Sequence, residues 1–223
     1  MNEILDDLFK GAPKAASPSL EADEIILIAD RSGSMSSIKL DAQGGINSFI
    51  TEQQKEGNAN LTFIQFDDTV EAVYKQTDIK DVKEYELEPR GMTSLYDAIG
   101  MTLANADSVA TTGKKIVVIV TDGGENSSKE WRQETIFERI ENLKAAGWDF
   151  LFLAANQDAM KTGTSLGIEA GETLTFASTG IGAQNAYGLA STYTSNLRSR
   201  AFDKNAVMDM LAKDAEETEG VNQ

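Results

Sequence analysis

Five short apolar runs, each followed by a longer stretch of different character, constrain this chain more than any other feature. The runs are 25–29 (IILIA), 61–66 (LTFIQF), 116–121 (IVVIVT), 148–154 (WDFLFLA) and 172–177 (ETLTFA). In IVVIV apolar and polar residues do not alternate, so both faces of the segment must be covered, which is the condition of a strand inside a parallel sheet. The intervening segments 38–56, 94–110 and 130–146 carry apolar residues at helical spacing, and Gly147 closes the last of them. Strand alternating with helix predicts an α/β fold of three layers, doubly wound, with helices on both faces of a mostly parallel sheet. One unit departs from the alternation. Phe66 runs into Asp67-Asp68-Thr69 and then VEAVYK, which predicts a tight hairpin and one antiparallel edge strand, making six strands in all. Segments 156–167 and 181–200 supply further helices.

The two ends read differently from the middle. Ile4, Leu5, Leu8 and Phe9 recur at helical spacing within residues 2–10, and GAPKAASPSLEA then breaks the pattern with Pro13 and Pro18. The expected organisation is an amphipathic segment and flexible linker over 1–21, a single globular domain over 22–200, and a short helix fraying into an acidic tail over 201–223. The N-terminal segment either folds back on its own domain or docks on another protein. No apolar run approaches the roughly 20 residues that cross a bilayer. Glu3, Asp6 and Asp7 stand where a secretory leader carries positive charge. The expectation is a protein without a membrane span that stays in the cytoplasm.

Composition narrows the chemistry. The 223 residues include no His and no Cys, which removes imidazole bases, thiolate nucleophiles and the usual ligands of transition metals. Any bound metal must then rest on oxygen ligands, which select a hard cation: Mg2+, Ca2+ or Mn2+. A formal net charge of −16 with no Lys/Arg stripe opposes binding to nucleic acid through its phosphates.

Ligands of parallel α/β sheets sit outside the carboxyl ends of the strands, so residues directly after strands come first. Asp30-Arg31-Ser32-Gly33-Ser34 follows the first apolar run, and Asp122-Gly123-Gly124 follows IVVIVT. Between them, Arg90-Gly91-Met92-Thr93-Ser94 opens a helix with hydroxyls on a glycine-bearing loop. Singly, each has a plain structural role as a helix cap or turn. Together, the carboxylates of Asp30 and Asp122 and the hydroxyls of Ser32, Ser34 and Thr93 make a hard-cation site on three loops at one end of one sheet.

DRSGSM, GMTS and TDGGEN, in that order, resemble the von Willebrand factor A domain with its metal-ion-dependent adhesion site, in particular intracellular bacterial and phage members. The resemblance covers roughly residues 22–200 and implies a Rossmann-like fold. It further implies that Ser32 and Ser34 bind the ion directly, that Thr93 does so when the site is engaged, and that Asp30 and Asp122 act largely through bound water. An Asp or Glu carboxylate of a partner protein would complete the shell. On the same rim, Asn156, Gln157 and Asp158 are candidates for partner contact, with capping of the next helix as the competing duty. Arg31 and Arg90 flank the site and would pair either with a partner's acids or with Asp30, Asp122 or Glu125.

Other readings compete with this one. An EF-hand needs glycine at the sixth position and glutamate at the twelfth, where this chain has Met35 and Asp41. GIGAQNA at 180–186 imitates a dinucleotide fingerprint but places Asn185 at the third glycine, so it reads as a helix start. A Mg2+-dependent phosphoester hydrolase would place the same ion beside strand-end carboxylates. A structural subunit of a virion or ring-shaped assembly would use the ion only to stabilise loops.

Overall fold

A computed structural model describes residues 8, 9, 12, 19–155, 159–177 and 179–199, with the side chains of 159 and 160 excepted. Six strands form one sheet: β1 (Asp23–Asp30), β2 (Ala59–Phe66), β3 (Val70–Asp78), β4 (Lys115–Thr121), β5 (Trp148–Ala155) and β6 (Thr173–Phe176). Their order is β3-β2-β1-β4-β5-β6. The β2–β3 pair is antiparallel, and every other pair is parallel. Among the described residues, α-helices that cover the sheet are α1 (Lys39–Glu56), α2 (Leu95–Ala104), α3 (Gln133–Ala145), α4 (Ala159–Ser165) and α5 (Gly180–Arg198). Among the described residues no helix is long and apolar enough to cross a membrane.

Alternate residues of β1 serve the two faces. Ile25, Leu27 and Ala29 pack with Ile46 and Phe49 of α1 and with Ala186, Tyr187 and Tyr193 of α5. Ile26 and Ile28 point the other way, onto Leu95 and Ile99 of α2 and Ile136 and Ile140 of α3. Each buried side chain of this size contributes about 1.5–3 kcal/mol, and so the two apolar clusters fix the three-layer order. Leu8 is buried in the second cluster, and Phe9 lies under the Lys75 ammonium, 4.2 Å from its ring centre. These two residues fold back on the domain; residues 1–7, 10, 11, 13–18 and 200–223 lie outside the described residues.

The helix expected over 38–56 is present, and two other predicted helices are shorter than their apolar spacing suggests. Residues 33–38 wind into a 3-10 turn before α1 begins at Lys39. Helix α2 stops at Ala104 and gives way to a 3-10 turn over Ala106–Ser108, where Ser108 Oγ takes the Asn105 carbonyl at 2.7 Å. Residues 130–132 stay outside α3 because Asp97 claims their neighbourhood. Its carboxylate accepts from the backbone N–H groups of Lys129, Glu130 and Trp131 at 2.8–2.9 Å, holding that stretch in a loop. At α5 the helix start expected from GIGAQNA is present, with Thr179 Oγ1 accepting from Gly182 N at 3.1 Å.

Strands β1 and β4 are neighbours in space, and the chain leaves them toward opposite flanks of the sheet. A crevice opens at such a switch point, outside the carboxyl ends of the strands. Asp30 ends β1, and Asp122 directly follows β4.

Candidate metal centre

The backbone brings the three loops together before any side chain acts. Arg31 N donates to the Phe66 carbonyl (2.8 Å), Arg90 N to the Arg31 carbonyl (2.9 Å) and Gly33 N to the Gly91 carbonyl (3.2 Å). Gly91 has φ +66°, and a β-carbon there would meet the Asp68 carboxylate at 2.2 Å, so only glycine fits this crossing. The Thr93 segment is held from its far side as well. Thr93 N donates to Asn126 Oδ1 at 2.9 Å, and the N–H groups of Asn126 and Ser127 return to the Thr93 carbonyl at 3.0 and 3.2 Å.

Asp30, Ser32, Ser34 and Asp122 form one connected group. Asp30 is 0% exposed; its carboxylate accepts from Ser32 N at 2.6 Å and from Thr121 Oγ1 at 2.6 Å. The hydroxyls of Ser32 and Ser34 stand 3.0 Å apart, and Ser34 Oγ donates to Asp122 Oδ1 at 2.7 Å. Thr93 reaches the same space: a β-carbon placed on Gly123 would lie 3.3 Å from Thr93 Oγ1 and 3.7 Å from Ser34 Oγ. Gly123 therefore keeps open the gap that separates these two hydroxyls. Of the five residues singled out from the sequence, Asp30, Ser32, Ser34 and Asp122 form one local cluster, and Thr93 lies across Gly123 from Ser34.

Burial pushes the Asp30 carboxyl up to about 6, against the hydrogen bonds from Thr121 and Ser32 and with help from the charge of Asp122. Burial likewise raises Asp122, and the Ser34 hydroxyl opposes it. Two carboxylates and three hydroxyls at one crevice make a donor set wholly of oxygen, suited to a hard cation. Among the described residues no cluster of three or more acidic side chains is placed to hold a metal. An ion held here would draw on the hydroxyls as well as on the two carboxylates.

The arginines behave otherwise than expected. Arg31 is buried and pairs with Asp67 (Nε to Oδ2, 2.9 Å) and Glu71 (Nη2 to Oε1, 2.8 Å). Arg90 pairs with the same two acids, at 2.7 and 2.8 Å. Neither arginine pairs with Asp30, Asp122 or Glu125, because the hairpin acids Asp67 and Glu71 lie within reach and neutralise both. Asn156 and Asp158, expected on the same rim, lie outside the described residues.

Other residues shape the site in roles that the sequence did not single out. Thr121 anchors Asp30, and Asn126 anchors Thr93. Glu125 accepts from the N–H groups of Tyr96, Ser127 and Ser128, tying the loop after β4 to the first turn of α2. Met92, 56% exposed, stands on the rim beside Thr93. Only the position of TDGGEN after a strand hinted at the roles of Thr121, Glu125 and Asn126. Their bonds join segments some 30 residues or more apart.

A sequence model of the von Willebrand factor type A domain matches residues 24–187. No curated protein matches the chain in sequence. Solved structures with a similar fold include the pilus adhesin SpaC from Lactobacillus rhamnosus GG, at 12% identity and TM-score 0.61, covering 82% of this chain and 32% of that one. The vWF domain of the type V pili tip protein Mfa5 from Porphyromonas gingivalis matches at 9% identity and TM-score 0.57, covering 79% and 96%. Proximal thread matrix protein 1 from the mussel byssus matches at 15% and 0.56, covering 78% and 46%. The chain spans less than two thirds of the length of the mussel protein and of SpaC, at 46% and 32%. At such identities the likeness is one of fold.

Proposed function

The chain belongs to the von Willebrand factor type A domain family, and from that premise we propose that it is a divalent-cation-dependent protein-binding module of adhesion type. It would capture an Asp or Glu carboxylate of a partner protein at an intact metal-ion-dependent adhesion site. One observation carries this reading: Asp30, Ser32, Ser34, Thr93 and Asp122 converge from three loops on one crevice, with Gly123 leaving room between the hydroxyls. A pilus adhesin and a pili tip protein share the fold, which supports an adhesion-type role at the level of fold alone.

The residues fit a cation. Ser32, Ser34 and Thr93 would offer neutral oxygens, and Asp30 and Asp122 would supply the negative charge around the ion. Bound there, Mg2+ (or Ca2+ or Mn2+) would present a positive charge to which an acidic side chain can coordinate. Neutral hydroxyl ligands leave more of that charge unquenched than carboxylates would. This is how a chain of net charge −16 would hold an acidic partner. We assign no catalysis to the site: the chain has no His or Cys, and both carboxylates are engaged by neighbouring hydroxyls. The setting we propose is the cytoplasm of a bacterial or phage-infected cell, within a larger assembly.

The test is partner capture by the full chain with and without EDTA, wild type beside Asp30→Ala and Thr93→Ala. Capture lost in EDTA and in both variants supports the proposal. Capture untouched by all three supports a structural subunit in its place. Phosphoester turnover that disappears in Asp122→Ala would make the protein an enzyme.

A further inference from the structure

The four charges beside the site form a closed set. Asp67 Oδ2 meets Arg31 Nε at 2.9 Å and Arg90 Nε at 2.7 Å, and Glu71 Oε1 meets the Nη2 of each at 2.8 Å. Each guanidinium lies within ion-pair distance of the same two carboxylates, and Arg90 makes hydrogen bonds to them, whereas Nε and Nη2 of Arg31 make none. Arg31 belongs to the loop of Asp30 and Ser32; Arg90 belongs to the loop of Thr93; Asp67 and Glu71 belong to the β2–β3 hairpin, which supplies none of the five oxygen-bearing residues. Asp67 does more than neutralise. Its Oδ1 is held by Thr69 N and Thr69 Oγ1, both at 2.7 Å, and its backbone carbonyl accepts from Ser94 N at 2.8 Å and Ser94 Oγ at 2.5 Å. The carboxylate of Asp67 is fully buried, whereas the Arg90 side chain is 54% exposed.

We propose that Asp67 is a positioning residue of the candidate metal centre: through Arg90 and Ser94 it sets the approach of the Thr93 hydroxyl to Ser32 and Ser34, so that the hairpin governs the site's affinity for the ion. The inference rests on the adhesion-site reading above and adds a residue that touches no ligand. Without the Asp67 charge, two guanidiniums remain beside one half-exposed carboxylate. Their repulsion would drive the exposed one, Arg90, away into solvent. Arg90 is three residues from Thr93, and Asp67 holds the next residue, Ser94, by its N–H and Oγ through its own backbone carbonyl, so displacement of Arg90 or of Asp67 would be passed to the Thr93 segment from both sides. Groups that orient metal ligands from behind typically change metal affinity by about 10- to 100-fold.

A double-mutant cycle on Mn2+ affinity, measured by calorimetry on the full chain well below its melting temperature, separates this role from general support of the fold. Asp67→Asn should weaken Mn2+ binding at least tenfold and speed amide exchange at Arg90 and Ser94 in the metal-free protein. Thr93→Ala should weaken binding similarly, and the double variant should be no weaker than Thr93→Ala alone, because Asp67 acts through Thr93. Equal weakening by Asp67→Asn in the two backgrounds would overturn the inference and leave the site reading intact. Absence of Mn2+ binding by the wild type would overturn both. If Asp67→Asn does not fold, Arg90→Gln, at an exposed position, enters the same cycle with the same expected non-additivity.

Discussion

Ser34 Oγ donates a 2.7 Å hydrogen bond to Asp122 Oδ1 across 88 residues of sequence. The bond closes the crevice between the loops after β1 and β4, and it lies near the surface. Ser34→Ala should therefore change metal-free stability by no more than about 0.5 kcal/mol. As a proposed ligand, Ser34 should nevertheless be needed for the ion, so the same substitution should weaken Mg2+ binding at least tenfold. Calorimetric titration and a denaturant melt of the same sample would check both halves.

Asn126 reaches the site only through Thr93, whose N–H it accepts at 2.9 Å. Asn126→Ala leaves that N–H without its partner and lets the Thr93 segment shift. The expected loss in Mg2+ affinity is about 10-fold, and Asn126→Asp, which retains an acceptor at the same place, should recover part of it.

Glu24, at the far end of β1, is fully buried, and its Oε2 has no hydrogen-bond partner. Burial raises its carboxyl to about 7, against the bonds from Thr62 and Gln76. The folded chain therefore holds a proton that the unfolded chain releases near 4.5. The sign follows from proton linkage: stability falls as pH rises from about 4.5 through about 7 and is flat above, as far as Glu24 contributes. Glu24→Gln should remove that slope and stabilise the protein by ~1–3 kcal/mol at pH 8, as read from urea midpoints across pH.

Helices α1 and α5 touch at Gly45, where an added β-carbon would stand 2.4 Å from Tyr187 Cδ2. Tyr187 is itself fully packed in the core and has no room to retreat. Overpacking costs about 1–3 kcal/mol, and alanine's better helix propensity offsets about 1 of it. Gly45→Ala should lower the melting temperature by up to roughly 8 °C, at about 2–4 °C per kcal/mol for a chain of this size.

The fold was legible because the apolar runs are continuous where strands are buried on both faces, and the hairpin Asp67-Asp68-Thr69 announced the antiparallel edge. All five residues of the candidate centre were legible for a related reason, since each follows a strand or opens a helix at the carboxyl end of the sheet. What the sequence could not show were the partners of charges. Arg31 and Arg90 border the site in sequence, yet Asp67 and Glu71 on the hairpin take both of them, a pairing set by tertiary contact. Asp97 likewise shortened α3 from a different helix, against the apolar spacing of residues 130–146.

The central claim is that Asp30, Ser32, Ser34, Thr93 and Asp122 hold a divalent cation in the folded protein. Thermal melting of the EDTA-stripped full chain against rising Mg2+ tests it most directly. The account predicts a melting temperature that climbs with Mg2+, equivalent to about 2.7 kcal/mol at a hundred times the dissociation constant, and no climb in Asp30→Ala or Thr93→Ala. Wild type that melts at one temperature regardless of Mg2+, Ca2+ or Mn2+, or variants that climb as far as wild type, would contradict it.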